Sequence, residues 1–309
     1  MSNWTADRIP DQTGRTFVVT GANSGLGYVT VRDLARHGAR VVLAVRNEAK
    51  GKAALQALLT EQPEAEVEVR HLDLADLDSV RAFADGISAD DVPVDVLVNN
   101  AGVMMPPRSL TKQGFESQLG GNHLGHFALT GLLLDRLRAG RDARVVTVSS
   151  NLHKRGFIHF DDLNGERKYS PTEFYAQSKF ANVLFGLELD RRLRAGGVPI
   201  RSVLAHPGYS ATNLQSTGPT GIMKQLMKVS NRLVAQSVDM GALNQLYAAT
   251  APGVESGQFI GPDGRGESRG FPTVVQPIES AKDPETARRL WDVSEELTGV
   301  HYDLPLGRE

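Results

Sequence analysis

Gly21-Ala22-Asn23-Ser24-Gly25-Leu26-Gly27 lies between an apolar run, Thr16-Phe17-Val18-Val19-Thr20, and a segment whose apolar residues Val29, Val31, Leu34 and Ala35 fall at helical spacing. A buried strand therefore enters a glycine turn and a helix leaves it. Glycine lets the chain turn sharply and lets backbone approach a pyrophosphate closely, while the free N–H groups and positive end of the helix face the anion. The spacing is G-x-x-x-G-x-G rather than G-x-G-x-x-G. Ordinary turn chemistry in a glycine-rich chain is the competing reading, so the neighbouring segments decide.

Strand-like and helix-like patterns alternate along the chain, which implies a parallel sheet covered by helices. Strands are predicted at Thr16–Thr20, Arg40–Val45, Val67–His71, Asp95–Val98, Arg144–Ser149, Ile200–Ala205 and Gln258–Ile260. Helices are predicted near Gly25–His37, Glu48–Thr60, Leu77–Ile87, Phe115–Leu137, Phe174–Ala195 and Asp239–Thr250. A further helix starts at Asp283-Pro284-Glu285, with an N-cap, a proline and an acid at its positive end, and is closed by Gly299; it is expected to cover the last strand. The expected fold class is α/β: one doubly wound, Rossmann-type domain over residues 1–309, with a mostly parallel seven-stranded sheet and helices on both faces. Asn151–Pro171 and Tyr209–Val238 break the alternation after strand carboxyl ends, where such sheets bind ligands, and are the expected substrate-facing segments.

Composition narrows the partners. The 34 basic and 36 acidic residues leave no net field to attract nucleic acid or an anionic membrane. Zero cysteines exclude disulfides, thiolate nucleophiles and cysteine metal sites. Met1–Thr13 is polar apart from one Trp, and no run approaches the roughly 18 to 20 apolar residues that span a bilayer. The expectation is a soluble, cytoplasmic protein without an integral membrane segment.

Downstream of the glycine turn come Asn99-Asn100-Ala101-Gly102, then Ser149-Ser150, then Tyr175-Ala176-Gln177-Ser178-Lys179. In this order they resemble the short-chain dehydrogenase/reductase family. The likeness runs almost end to end through Asn122-His123-Leu124-Gly125-His126-Phe127, His206-Pro207-Gly208 and Leu290-Trp291-Asp292-Val293-Ser294-Glu295. Gln177–Phe185 and Asp161-Asp162-Leu163-Asn164 make the retinol-dehydrogenase-like branch the most similar, as does the long interval between Ser150 and Tyr175.

Tyr175 and Lys179, four apart, share one helix face. A Lys charge about 4 Å from the phenol, at an effective dielectric near 20, would contribute roughly 4 kcal/mol, or about three pKa units toward the phenolate. By the resemblance Tyr175 is the proton-transferring group, Lys179 lowers its pKa and holds the nicotinamide ribose, and Ser150, with Ser149 as the alternative, holds the substrate oxygen. The side chain of Asn122 is expected to hold a water linking Lys179 to solvent; satisfying buried backbone is its bland alternative. His123 and His126 have metal-like spacing but no matching Cys or carboxylate pattern, and with His153, His159 and His206 they read as packing or surface residues.

For the cofactor, the second strand ends Val45-Arg46-Asn47 with no acid, whereas a ribose without a 2′-phosphate is usually held by one. Arg46 favours a 2′-phosphate, with Asn23 and Lys50 as helpers, so NADP(H) is preferred and NAD(H) is the alternative. Arg46 starting a solvated helix is the competing reading. The resemblance adds Gly21, Ser24, Gly25, Leu26, Gly27, Asp73, Leu74, Asn100, Ala101, Gly102, Tyr175, Lys179, Pro207, Gly208 and Thr212 to the cofactor site. Asp73 at a strand end equally suits a cap.

The function expected is hydride transfer between a nicotinamide cofactor and a small-molecule alcohol, aldehyde or ketone; a catalytically silent NADP(H) sensor or scaffold is the alternative. Phe157, Ile158, Phe160, Ile222, Met223, Leu226 and Met227 suggest an apolar substrate pocket, although Ile222, Leu226 and Met227 also suit helix packing. A homo-oligomer is compatible with the family resemblance. The related light-driven reduction of a chlorophyll precursor is disfavoured by the absence of cysteine.

Overall fold

A computed structural model describes residues 3–209 and 236–304. Eight strands form one sheet in the order β3-β2-β1-β4-β5-β6-β7-β8. They are β1 (Thr16–Thr20), β2 (Arg40–Val45), β3 (Val67–His71), β4 (Val96–Asn99), β5 (Arg144–Val148), β6 (Arg201–Ala205), β7 (Phe259–Pro262) and β8 (Pro272–Val275). The first seven run parallel, and β8 pairs antiparallel with β7. The seven predicted strands are all present, so the expected count is one short. Two features hid β8: it opens on a proline, and only Val275 of its four residues is buried, as befits an edge strand.

Central strands such as β1 are buried on both faces and so read as continuous apolar runs. Alternate residues feed two cores. Val18, Val42, Leu97 and Val145 point to one, beneath α3 (Leu77–Ala89), α4 (Gly125–Leu132), α5 (Leu134–Arg138), α6 (Pro171–Ala195) and α8 (Pro284–Thr298). Phe17, Val41, Leu43 and Val96 point to the other, beneath α1 (Gly25–Arg36), α2 (Glu48–Glu61) and α7 (Val238–Thr250).

Three helices differ from expectation. The stretch predicted as Phe115–Leu137 starts at Ser117, where Glu116 caps the N–H groups of Gln118 and Leu119, then passes through a π turn, Gly120–Leu124, and breaks at Leu133. Helix α6 begins at Pro171 rather than Phe174: Ser170 accepts from the Glu173 N–H, and the proline fills the first position, where its missing N–H costs nothing. Helix α8 has the predicted Asp283 cap and left-handed Gly299, but it packs chiefly along α6 rather than over the last strand. Its Trp291 is 2% exposed and meets Phe127, Phe185 and Tyr302 at ring-centroid distances of 5.1, 5.8 and 4.6 Å. Among the described residues, no helix is long and apolar enough to cross a membrane.

Trp291→Ala opens a cavity at the centre of that aromatic cluster, and the expected loss of stability is about 3–5 kcal/mol. Chemical denaturation of the full chain measures it; a loss below about 1 kcal/mol would show that α8 is not integral to the core.

Candidate active site

A cleft of about 860 Å³ runs across the carboxyl ends of β1 to β6. The glycine turn forms one wall. Gly21 and Gly25 have φ of +66° and +56°, where a side chain is strained. A Cβ on Gly21 would sit 3.0 Å from Ala101 Cα, and one on Gly27 would meet the Gly21 carbonyl oxygen at 2.5 Å. Gly27 itself does not line the cleft; it lets α1 pack onto the turn. Ser24 makes no side-chain capping bond, which leaves the first amides of α1 available to an anion at the cleft.

Asn23, Ser24, Gly25, Leu26, Arg46, Lys50, Asp73 and Leu74 line this end. Arg46 is exposed and makes no ion pair among the described residues. Asn47 caps α2 by accepting from the Lys50 N–H at 2.9 Å, and Lys50 lines the same cleft as Arg46. Asp73 lines the cleft but does not cap the helix after it: its Oδ1 accepts from the Ala75 N–H at 3.0 Å in a local turn, and Asp76 caps α3 instead.

Asn99-Asn100-Ala101-Gly102 ties the end of β4 to neighbouring elements, and Asn100, Ala101 and Gly102 line the cleft. Asn99 Nδ2 donates to Thr130 Oγ1 at 3.0 Å and Asn100 Nδ2 to the Thr20 carbonyl at 2.7 Å. The Asn100 and Ala101 N–H groups both donate to Thr20 Oγ1, at 3.0 and 2.9 Å. Gln245 Nε2, from α7, donates to Asn100 Oδ1 at 3.2 Å. Neither Thr20 nor Gln245 is a predicted site residue. Thr20 precedes the glycines directly, whereas nothing local marks Gln245, which is 145 residues from its partner.

At the other end, Asn122, Ser150, Tyr175 and Lys179 come together. Of the serine pair, Ser149 Oγ is turned inward and donates to the Lys179 carbonyl at 2.7 Å, whereas Ser150 lines the cleft with Tyr175 and its Oγ accepts from the Leu152 N–H at 3.2 Å. Lys179 is 3% exposed; its Nζ donates to the Val148 carbonyl at 3.1 Å and lies 6.0 Å from the Tyr175 ring centroid. Burial dominates the pair. It pushes the phenol up to about 12, against the pull of the neighbouring Ser150 hydroxyl, and pushes the ammonium down to about 8. The expected depression of the phenol by Lys179 does not prevail, because both groups are fully desolvated and the ammonium is not against the ring.

Asn122 also departs from expectation. Its Oδ1 accepts from the Val103 N–H at 2.8 Å, and its Nδ2 donates to the Val103 carbonyl and Ser178 Oγ, both at 2.9 Å. Its side chain is engaged in positioning the loop after β4 and not in presenting a free amide to water. A Cβ on Gly102 would lie 3.2 Å from Asn122 Oδ1 and 3.5 Å from Lys179 Nζ, so the three meet at one place. His123 and His126 are buried hydrogen-bonding residues, pushed down by burial to about 3 and about 4.

Pro207 and Gly208 line the cleft. Thr212, Ile222, Met223, Leu226 and Met227 lie outside the described residues. In the first irregular segment, Phe157 is 67% exposed, Ile158 is buried with Phe180 and Leu204, and Phe160 sits under Arg289; none of the three lines the cleft. Its apolar wall comes instead from Val103, Met104, Pro106, Leu110 and Leu152. The run Val103-Met104-Met105-Pro106-Pro107 after Gly102 was the available signal.

The short chain dehydrogenase family model matches residues 15–221. Retinol dehydrogenase 12 of Homo sapiens is 43% identical over 292 residues, covering 94% of this chain and 88% of that protein. Polyprenol dehydrogenase of Mus musculus is 42% identical over 298 residues, covering 94% and 86%. The crystal structure of an uncharacterized protein from Mycobacterium paratuberculosis has a TM-score of 0.82 at 47% identity and covers 98% of this chain and 100% of that one. A short chain dehydrogenase from Burkholderia cenocepacia, solved with NADP, has a TM-score of 0.63 at 23% identity over 81% and 96%, a likeness of fold. With glycine turn, strand-end asparagines, serine, tyrosine and lysine on one cleft, this oxidoreductase belongs to the short-chain dehydrogenase family, in its retinol-dehydrogenase-like branch.

Proposed function

We propose that this oxidoreductase interconverts a hydrophobic alcohol with its aldehyde or ketone and takes NADP(H) in preference to NAD(H). The observation that carries this reading is one continuous cleft with Arg46, which makes no ion pair among the described residues, at one end and Ser150, Tyr175 and Lys179 together at the other. The uncapped amides of α1 and the turn that a Cβ would block fit a pyrophosphate. Arg46 and Lys50 fit a 2′-phosphate beyond it, where an acid would repel one. Bound there, a nicotinamide nucleotide supplies the hydride chemistry.

The chain's own residues hold the substrate oxygen and move its proton. Ser150 Oγ donates to that oxygen, and Tyr175 gives the proton in reduction and takes it in oxidation. Burial holds the phenol at about 12, so Tyr175 rests in the protonated form that donates in reduction, with Lys179 Nζ 6.0 Å from its ring centroid. Asn122 holds Val103 and Ser178, the residue before Lys179 on α6. Substrate preference follows from Val103, Met104, Pro106, Leu110 and Leu152, an adaptable apolar wall.

Tyr175→Phe removes only the ionisable oxygen and is expected to lower kcat by about 10²- to 10⁴-fold with NADPH affinity unchanged, as read by nucleotide fluorescence. Retained turnover, or NADPH binding without turnover of any carbonyl compound by the parent enzyme, would overturn the catalytic assignment.

NADPH is expected to bind more tightly than NADH, and Arg46→Ala to weaken NADPH alone by roughly tenfold to hundredfold, the worth of one charged hydrogen bond of about 1.5–3 kcal/mol. An equal loss for both nucleotides would show that Arg46 supports its loop and does not read the phosphate.

Decanal and apolar cyclic ketones are expected to give a higher kcat/KM than pyruvate or glyoxylate. A preference for the small anions would remove the apolar-pocket assignment.

A further inference from the structure

The turn joining β7 to β8 approaches the cleft from outside the motifs that define the family. Within it Glu267 has φ of +54°, a left-handed conformation that non-glycine residues seldom adopt, and it follows Gly266 at +64°. Its carboxylate is held from two sides: Oε2 lies 3.1 Å from His206 Nε2 and Oε1 lies 2.8 Å from Lys154 Nζ. The backbone of the same turn is held as well. Asn151 Nδ2 donates to the Gly266 carbonyl at 2.7 Å, and the Tyr209 N–H donates to the Ser268 carbonyl at 2.7 Å.

Proton accounting fixes the state of His206, which is fully buried. The Gly208 N–H points at His206 Nδ1 over 3.2 Å and can only donate, so Nδ1 carries the lone pair. The proton is then on Nε2 and is donated to the Glu267 carboxylate. Burial disfavours the charged ring, while the hydrogen bond from His206 holds the Glu267 carboxyl down at about 2, so the pair is a neutral histidine on an ionised acid. Gly208 needs this support. Its φ is +63°, and a Cβ there would strike the Ser268 carbonyl oxygen at 2.5 Å, so the turn is built against the hairpin.

We propose that Glu267 is a positioning residue for the reaction: by locking His206 in its Nε2–H form it fixes the Gly208 turn, and through Lys154 it ties that turn to the loop that follows Ser150. Ser150, Pro207 and Gly208 all line the cleft, so one carboxylate sets the separation of the two strand-end loops that bracket it. The inference rests on the reading of the cleft as an oxidoreductase site.

Two substitutions separate reach from backbone comfort. Glu267→Gln keeps the length and an acceptor oxygen for His206. Glu267→Asn suits the left-handed conformation better than Glu does but is too short to reach the ring. In full-length protein labelled with 15N-histidine, with the His206 signals identified by their loss in His206→Asn, the parent and Glu267→Gln are expected to show the Nε2–H tautomer. Glu267→Asn is expected to show a tautomer mixture, a melting midpoint no lower than that of the parent, and kcat with NADPH and decanal reduced about 10- to 100-fold. Glu267→Gln, whose one oxygen accepts from His206 while its NH2 cannot accept from Lys154, is expected to keep the tautomer and to lose kcat by less than Glu267→Asn, about three- to tenfold. A Glu267→Asn enzyme with parental kcat, or one that loses kcat while keeping a single Nε2–H tautomer, would overturn the proposal. Failure of the parent to bind NADPH would instead sink the cofactor assignment, and the tautomer measurement would still decide whether Glu267 locks His206.

Discussion

The close approach of the first strand–helix turn to the end of β4 is the constraint on which both ends of the cleft depend. Thr20 Oγ1 has one proton and two lone pairs. The lone pairs receive the Asn100 and Ala101 N–H groups, and the proton goes to His126 Nε2 at 2.9 Å in preference to the Val98 carbonyl at 3.4 Å. His126 Nδ1 must then carry its own proton, which it donates to the Asn122 carbonyl at 3.0 Å. A continuous set of hydrogen bonds therefore runs from the glycine turn to the π turn. Side chains at Gly21 or Gly27 would separate β1 from the β4 loop and move Gly102, Val103 and Asn122 together. The phosphate-facing and proton-transferring ends are thus positioned by the same contact.

Desolvation sets the electrostatics of that buried end. It raises the Tyr175 phenol to about 12 and lowers Lys179 to about 8 and His126 to about 4. In such surroundings a neutral histidine is the stable relay, because its two nitrogens satisfy a donor and an acceptor without placing a charge beside Lys179. Lys179, brought down to about 8 by burial, changes charge close to neutrality, so its field on the phenol is itself dependent on pH. Exposed pairs such as Lys112 with Asp76 and Asp78 contribute little by comparison, since solvent screens them.

The Tyr175→Phe and Arg46→Ala experiments probe the parts of the site that were legible in the sequence, and their legibility has a physical cause. Glycine turns, strand-end asparagines and a Tyr-x-x-x-Lys pair act through backbone geometry and helix pitch, which local sequence encodes. Seven strands were readable because strands buried on both faces must be continuously apolar. β8 was not, since an edge strand needs neither apolar alternation nor a full set of donors. Met104, Pro106 and Leu110 escaped because their place on the cleft depends on Asn122 clamping Val103, a contact 19 residues away. Phe157, Ile158 and Phe160 misled for the complementary reason. Their apolar character is spent on packing under α6, on Arg289 and in one exposed ring, and composition alone does not separate a pocket wall from a core.

The division of labour between Ser149 and Ser150 shows how the sheet and α6 fix the reacting groups without a dedicated residue for each. Adjacent residues of an extended chain point to opposite sides, so only one serine of the pair can face the cleft. Ser149 faces α6 and donates to the Lys179 carbonyl, while Lys179 Nζ and Asn182 Nδ2 return to the Val148 carbonyl at 3.1 and 3.2 Å. These reciprocal bonds fix both the height and the rotation of α6 on β5. Tyr175, one helical turn earlier on the same face, is thereby brought onto Ser150, which the strand has already turned into the cleft. Exchanging the roles of the two serines would require β5 to slip by one residue, which would turn Val145 and Val146 toward the wrong cores; the choice of Ser150 is made by the packing of the whole strand.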